Sequence, residues 1–171
     1  MIDLSDHRNP KEEIVDFLPQ MRAFAISLTR NPDTADDLVQ DALVKAWRGF
    51  GSFQTGTNLQ AWLFTIIRNT FYSDLRRSRR QIGAHQSDGL DTLSVGPSHD
   101  GRLVMRDFQR SFDKLPSEQR EVLVLVAAIG LSYEEAAATC GVPVGTIKSR
   151  INRARARLAK MVDIFDSYEP L

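Results

Sequence analysis

The sequence has little of what metal sites and catalytic centres need. It contains one cysteine and three histidines in 171 residues. A single cysteine, Cys140, excludes an internal disulfide and suits a reducing compartment, and we expect it to be a small buried hydrophobe. The histidines His7, His85 and His99 are too scattered to form a metal site, and no nucleophile lies beside a candidate base. We therefore predict no metal, no cofactor and no enzymatic activity.

The sequence also lacks an excess of charge of one sign and a long apolar run. Lys plus Arg and Asp plus Glu both total 22, so no global positive charge holds the chain on nucleic acid. No apolar run approaches the length that spans a membrane, and the N-terminal MIDLSDHRNPKEE has no signal-peptide pattern. These absences predict a cytoplasmic protein without a membrane partner. The 42% hydrophobic content still supports one or two hydrophobic cores.

Helical spacing of apolar residues runs through most of the chain, which predicts an all-α fold. A first helix keeps this spacing over 14–28. Asp33 or Thr34 is expected to cap a second helix, and a glycine-rich loop follows over 48–58. A long helix then covers about 59–80. The positions that we expect the second helix to bury are Ala35, Leu38, Val39, Ala42, Ala46 and Trp47.

A change of composition divides the chain in two. Residues 81–101 are rich in Gly, Ser, Asp, His and Pro and contain no Lys or Arg, which is typical of a flexible linker. We predict two small helical domains, over 10–80 and 102–162, joined by this linker and followed by an acidic tail over 163–171. In the second domain, Ser117 is expected to cap a helix.

The second domain ends in two helices joined by a short turn. Ser132 and Glu135 form a capping-box pattern, the small helix that follows stops at Gly141, and Thr146 is expected to cap the next helix. That helix is apolar on one side and basic on the others, as in a helix-turn-helix. Its apolar positions are Ile147, Ile151, Ala154, Leu158 and Met161.

We interpret the basic helix as a DNA-recognition helix; the alternative is an ordinary amphipathic hairpin with a solvated basic face. Recognition helices contact base edges near their N-terminus and phosphates through flanking Arg and Lys. The candidates for base contacts are Lys148, Ser149, Asn152 and Arg153. The candidates for phosphate contacts are Arg150, Arg155 and Arg157, and Thr146 at the helix start completes the DNA-binding set.

Two further charged clusters lie in the first domain, and the residues alone leave their roles open. Four arginines end the long helix in a domain rich in aromatic residues, which suits single-stranded nucleic acid or a merely solvated helix end. Four aspartates on the second helix either meet a protein partner or are solvated. The arginines are Arg76, Arg77, Arg79 and Arg80. The aspartates are Asp33, Asp36, Asp37 and Asp41.

Three stretches of the sequence resemble a known family. They are ADDLVQDALVKAWRGF, GTNLQAWLFTIIRNTFYSDLRR and LPSEQREVLVLVAAIGLSYEEAAATCGVPVGTIKSRINRARARL. Over about 16–80 and 105–162 the chain resembles regions 2 and 4 of the extracytoplasmic-function (ECF) group of bacterial sigma factors. The form FQTGTNLQAWLFTIIRNTFYSDLR further resembles the alphaproteobacterial general-stress-response branch of that group.

The resemblance implies a role for each open cluster. It implies that the loop 52–58 and the helix after it capture the melted −10 strand of promoter DNA, and that the recognition helix binds the −35 element. The residues implied to bind the largest-subunit coiled coil of core RNA polymerase are Asp37, Leu38, Gln40 and Asp41. Those implied to bind the −10 strand are Gln54, Thr55, Asn58, Asn69, Arg76, Arg77, Arg79 and Arg80.

The implied function is promoter-specific initiation of transcription, of stress-response genes, with an anti-sigma factor as a further partner. One rival is a sigma-like decoy that titrates an anti-sigma factor, although decoys in that system carry a degraded recognition helix and this one is intact. The other rival is a stand-alone helix-turn-helix regulator, which leaves the acidic and arginine clusters unexplained. The neutral net charge also predicts that the free chain binds DNA poorly, with its two domains packed together.

Overall fold

The computed structural model describes residues 10–81 and 108–166, and helices connected by short turns and one longer loop make up these ranges. The amino-terminal unit contains α1 (Pro10–Glu13), a 3-10 turn (Ile14–Phe17), α2 (Leu18–Thr29), α3 (Pro32–Gly49), a 3-10 turn (Phe50–Ser52) and α4 (Leu59–Gln81). The carboxy-terminal unit contains α5 (described over 108–113), α6 (Ser117–Leu123), a π-helical turn (Val124–Ala128), α7 (Tyr133–Cys140) and α8 (Val144–Asp166). The all-α prediction is confirmed. Apart from Gln81, the predicted linker lies outside the described residues.

The core of the amino-terminal unit is a bundle of α2, α3 and α4, which contact one another pairwise. The first half of α4 is apolar almost all round, so it lies in the centre of the bundle, where Leu63, Phe64 and Ile67 are fully buried. Phe24 of α2 meets Phe64 edge to face, with ring centroids 5.3 Å apart. Each fully buried side chain of this kind contributes about 1.5–3 kcal/mol to the free energy of unfolding.

The carboxy-terminal unit packs α6, α7 and α8 around a second group of buried side chains that includes Val122, Leu125 and Ile147. The predicted capping box of α7 is confirmed: Ser132 Oγ accepts from the Glu135 amide at 3.1 Å, and Glu135 accepts from the Ser132 amide at 2.8 Å. Gly141 ends α7 in the left-handed region, at φ 65°. Residues with a side chain rarely adopt this conformation, whereas glycine adopts it readily.

The two units pack against each other, as the neutral net charge led us to expect. Their buried residues form one contiguous core, and α4 lies on α7 while α2 lies on α6. Arg120 of α6 is buried and donates from Nε to the carbonyl of Ser27 in α2 at 2.6 Å. It also donates to the Leu115 carbonyl at 3.0 Å. The structure therefore shows a closed arrangement of the chain.

The predicted cap of α3 is wrong. Asn31 caps this helix, because its side-chain oxygen accepts from the Thr34 amide at 3.0 Å and Pro32 occupies the first helical turn. Proline fixes φ in the helical range and lacks the amide that a capping residue would satisfy. Asp33 and Thr34 consequently lie inside the first turn and do not cap it.

Two further predicted caps are also wrong, and a proline again precedes each helix. Helix α6 begins at Ser117 itself, after the carbonyl of Pro116 has accepted from the amides of the first turn. In the same way α8 begins after Pro143, whose carbonyl accepts from the Thr146 amide at 2.9 Å. Ser117 and Thr146 are therefore helical residues rather than caps.

One other expectation needs correction. Trp47 is half exposed, at 50%, where burial was predicted, and the Lys11 ammonium lies 5.8 Å from the centre of its ring. Helix α8 continues to Asp166, into the predicted acidic tail over 163–171. No glycine or proline interrupts this stretch before Pro170, so the recognition helix is prolonged into the acidic segment. Residues 167–171 lie outside the described part.

Candidate nucleic-acid interface

Helix α8 presents a band of basic and polar side chains to solvent. Its opposite side is seated on α6 and α7 by Ile147, Ile151 and Ala154, which are all buried. The capping box of α7 and the turn at Gly141 fix the angle at which α8 leaves the core. The predicted DNA contacts that are exposed together on this helix are Lys148, Asn152, Arg153, Arg155 and Arg157.

Three predicted contacts of α8 are less available. The side chain of Arg150 is 17% exposed, and its Nη2 pairs with Glu118 of α6 at 2.8 Å, so its charge is neutralised within the unit. Ser149 donates its hydroxyl to the carbonyl of Thr146 at 3.0 Å, and both residues are partly buried. The structure therefore separates Arg150 from the exposed band.

The predicted polymerase face is a row of acidic and polar side chains on α3. Asp37, Gln40 and Asp41 are exposed, and their spacing of three and four residues places them on one side of the helix. Leu38, predicted to belong to the same contact, is 6% exposed and packs in the bundle. In the closed chain Leu38 therefore supports the face from inside, and its contact with a partner stays a prediction.

Sequence reasoning missed two apolar members of this face. Val44 is 46% exposed and Trp47 is 50% exposed, and both continue the row that begins at Gln40. They were not predicted to be exposed, because apolar residues are usually buried. The available signal was spacing, because Gln40, Val44 and Trp47 are separated by four and three residues and so share a side of α3.

An aromatic cluster fixes the loop between α3 and α4. The ring centroids of Phe53 and Trp62 are 5.3 Å apart, and Phe50 lies 5.6 Å from Phe53 and 6.0 Å from Trp62. The cluster holds the loop against α4. As a result, the predicted −10 contacts Gln54 and Thr55 are exposed at its tip.

Asn58 joins this loop to α4 and also to the other unit. Its side-chain oxygen accepts from the Ala61 amide at 3.1 Å, as an N-terminal cap does. Its Nδ2 donates to Glu135 of α7 at 2.6 Å. Hydrogen bonds from Asn58 and from the Ser132 amide lower the pKa of the Glu135 carboxyl. A predicted −10 contact is thus occupied by the carboxy-terminal unit.

The other predicted −10 contacts lie along α4 and are exposed. Asn69, Arg76 and Arg80 are separated by seven and four residues, so they share one side of the helix. Arg77 pairs with Asp74 at 3.5 Å, and both side chains are well exposed. With Arg79, these residues form a basic end to α4 that is open to solvent.

Three polar pairs, which we call the α4 seam, link one face of α4 to the carboxy-terminal unit. They are Asn58 with Glu135, Thr65 with Thr139 (hydroxyls 3.3 Å apart) and Arg68 with Glu121 (2.6 Å). Burial raises the pKa of Glu121 above its ordinary value, even though Arg68 lies beside it. Burial also raises the pKa values of Tyr72 and Cys140, both to about 12.

In the described ranges 10–81 and 108–166, no three His, Cys, Asp or Glu side chains are grouped so that they could hold a metal ion. None of the described helices combines the length and apolarity that a membrane crossing requires.

Comparison with known proteins identifies the two units. The family profile of Sigma-70 region 2 matches residues 14–81, and that of Sigma-70, region 4 matches residues 105–158. The ECF RNA polymerase sigma factor EcfG of Rhodopseudomonas palustris is 50% identical over 152 residues, which cover 89% of this chain and 84% of that protein.

Two solved structures are similar to this chain over most of its length. The sigma factor RpoE in complex with the anti-sigma factor NepR, from Bartonella quintana, is 46% identical with a TM-score of 0.79, over 90% of this chain and 96% of that chain. CnrH in complex with the cytosolic domain of CnrY is 31% identical with a TM-score of 0.66, over 94% of this chain and 91% of that chain. The chain therefore belongs to the ECF sigma factors, which direct RNA polymerase to promoters and are not enzymes.

Proposed function

We propose that the two units divide promoter recognition between them. The amino-terminal unit, about 10–80, binds core polymerase through α3 and the −10 strand through the loop and α4. The carboxy-terminal unit, about 102–162, binds the −35 element through α8, and residues 81–101 connect the two.

The observation that carries the −35 assignment is the exposed band of α8. Its five members carry four positive charges and no negative one, and buried residues fix the orientation of the helix. Base contacts are assigned to Lys148, Asn152 and Arg153, which lie in its first turns, and phosphate contacts to Arg155 and Arg157. Because the whole chain is neutral, this band alone supplies little affinity, and polymerase must add the rest.

The polymerase contact is supported by charge and by exposed apolar area on one side of α3. Asp37 and Asp41 supply negative charge, while Val44 and Trp47 supply apolar surface beside it. Aromatic residues at the centre of a polar rim are typical of protein interfaces. We assign this face to the coiled coil of the largest subunit.

An anti-sigma factor is the further partner that we infer. The similar sigma factor RpoE was solved in complex with the anti-sigma factor NepR, and the similar sigma factor CnrH was solved in complex with the cytosolic domain of CnrY. The chain is 46% identical to the NepR-bound protein, which supports an anti-sigma factor of that kind as its partner. Control of stress-response genes and a cytoplasmic location are part of the same proposal.

Transcription with purified core polymerase and a promoter library tests this proposal. We expect the chain to start RNA synthesis from a defined subset of promoters, with core enzyme alone as the control. A decoy or a stand-alone regulator starts no RNA, so the absence of any transcript would refute the proposed function.

A further inference from the structure

The Arg68–Tyr72–Glu121 contact joins the two units through charge and an aromatic ring. Arg68 Nε donates to Glu121 Oε1 at 2.6 Å, and the Tyr72 hydroxyl lies 3.3 Å from Glu121 Oε2. The Arg68 guanidinium also stacks over the Tyr72 ring, 4.6 Å from its centre. The Glu121 side chain is 0% exposed and that of Arg68 is 19% exposed.

This contact exists only while the units are packed together. Arg68 and Tyr72 belong to α4, whereas Glu121 belongs to α6. A buried carboxylate is costly unless it is paired and hydrogen-bonded, so Glu121 depends on these two partners from the other unit. When the units separate, the carboxylate returns to water and the arginine and tyrosine become available.

The position of the pair on α4 indicates what it can bind. Arg68 directly precedes Asn69, and it shares its side of the helix with Asn58, Thr65 and Tyr72 at helical spacing. This side therefore starts at the predicted −10 loop and runs along the path towards the basic end of α4. A guanidinium held on an aromatic ring offers a phosphate contact and a stacking surface, the two elements of single-strand binding.

We propose that Arg68 and Tyr72 form an additional contact for the unpaired promoter strand, and that Glu121 masks it in the closed chain. The Glu121 carboxylate takes the place of a strand phosphate, since both present oxygens to a guanidinium. This inference rests on the proposed function of the amino-terminal unit. It adds that region 4 blocks strand binding through one carboxylate until the units part.

The masking is tested with a variant that opens the α4 seam without touching the pair. Thr139→Glu places a charged side chain against Thr65, while Ala138→Glu adds the same charge at the neighbouring exposed position and is the matched control. The probe is a fluorescein-labelled pool of short random-sequence single-stranded DNA, and small-angle X-ray scattering reports opening. We expect Thr139→Glu to bind the pool about tenfold more tightly than the control, which carries the same added charge.

The role of Arg68 is tested in the opened chain. Adding Arg68→Ala to Thr139→Glu is expected to remove the gain and to lower the slope of log affinity against log salt by about 0.7, the share of one single-strand phosphate. Arg68→Lys in the same background should keep that slope. Arg22→Ala, which removes an exposed arginine of the same unit, is the control. Equal binding with and without Arg68 in the opened chain, or an opened chain that binds no better than Ala138→Glu, would overturn the proposal.

A second measurement does not depend on the Thr139→Glu substitution. The proposed function requires each unit to reach its own promoter element, so we expect the units to be apart in holoenzyme assembled with core polymerase. Arg68→Ala should then weaken capture of the same DNA pool about tenfold relative to wild type. Unchanged capture would refute the contact. Failure of the proposed function is a different outcome, because wild-type chain would then give no transcript with core enzyme at all.

Discussion

At the scale of single residues, a neighbour on another helix decides which charges remain available. Arg150 and Arg153 are three positions apart on the same basic helix. Glu118 of α6 pairs with Arg150, whereas Arg153 is exposed. Of these two arginines, Arg150 is neutralised by Glu118, whereas the exposed charge of Arg153 remains available for DNA.

Arg153→Ala is expected to cost about 1–3 kcal/mol in discrimination at the −35 element, because it removes a base contact from the recognition helix. Run-off transcription from matched and mismatched promoters measures the difference. Lys160→Ala, which removes an exposed charge two turns further along α8, is the control and should leave selectivity unchanged. Equal selectivity of Arg153→Ala and wild type would contradict the assignment.

The sequence sufficed to predict which side of α8 is buried, because spacing along a helix fixes which residues share a face. The sequence could not reveal that Arg150 is paired, since Glu118 lies on a different helix and only the tertiary fold brings the two together. The exposure of Trp47 could not be predicted for a different reason. Its side chain is apolar, yet the position it occupies on α3 faces solvent.

At the scale of helices, the start positions were the least predictable feature. Ser and Thr are good capping residues, and the sequence places them near the starts of three helices. Prolines lie at the starts of these helices instead. Pro32 occupies the first turn of α3, where its fixed φ is favourable, and the carbonyls of Pro116 and Pro143 accept the first amides of α6 and α8. The hydroxyl residues are displaced into the helix by one to three positions.

On α3, Asp41→Arg is expected to weaken binding to core polymerase about tenfold, because it reverses a charge in the centre of the acidic face. Asp41 is exposed, so the melting temperature should stay near that of wild type. A pull-down of purified polymerase measures the effect. Glu12→Arg reverses an exposed charge on α1 and is the control. Equal recovery of polymerase by both variants would argue against this face.

At the scale of the whole molecule, the two units and their packing could be predicted, but the surfaces that meet could not. The change of composition over 81–101 separates them in sequence. Which surfaces meet is decided by individual pairs such as Asn58 with Glu135, whose members look like ordinary exposed polar residues until the fold is known. The closed chain consequently engages Asn58, one of the residues that the resemblance assigns to promoter DNA.

A disulfide across the α4 seam is expected to stop transcription reversibly. Thr65 and Thr139 have hydroxyls 3.3 Å apart, so cysteines at these positions can approach bonding geometry, in a Cys140→Ala background that prevents mispairing. The oxidised Thr65→Cys, Thr139→Cys chain should lose at least about tenfold in run-off transcription, because Asn58 and Arg68 stay bound to the carboxy-terminal unit.

Reduction of the same sample should restore activity, and the Thr65→Cys, Cys140→Ala chain should respond to neither treatment. Full activity of the locked chain would show that the closed arrangement is compatible with initiation.

The bond from Arg120 to Ser27 has a consequence for hydrogen exchange. The Ser27 carbonyl lies in the last turn of α2, and the bond that satisfies it comes from a residue 93 positions away in the other unit. Next to it, Arg30 ends the helix at φ 58°, a left-handed conformation that costs a residue with a side chain about 1–2 kcal/mol. When the units separate, the Ser27 carbonyl loses the hydrogen bond from Arg120. The last turn of α2 then frays, so the amide of Arg30 exchanges with solvent deuterium more quickly. The carboxyl end of α2 thereby records, without any attached probe, how often the two halves of the molecule come apart.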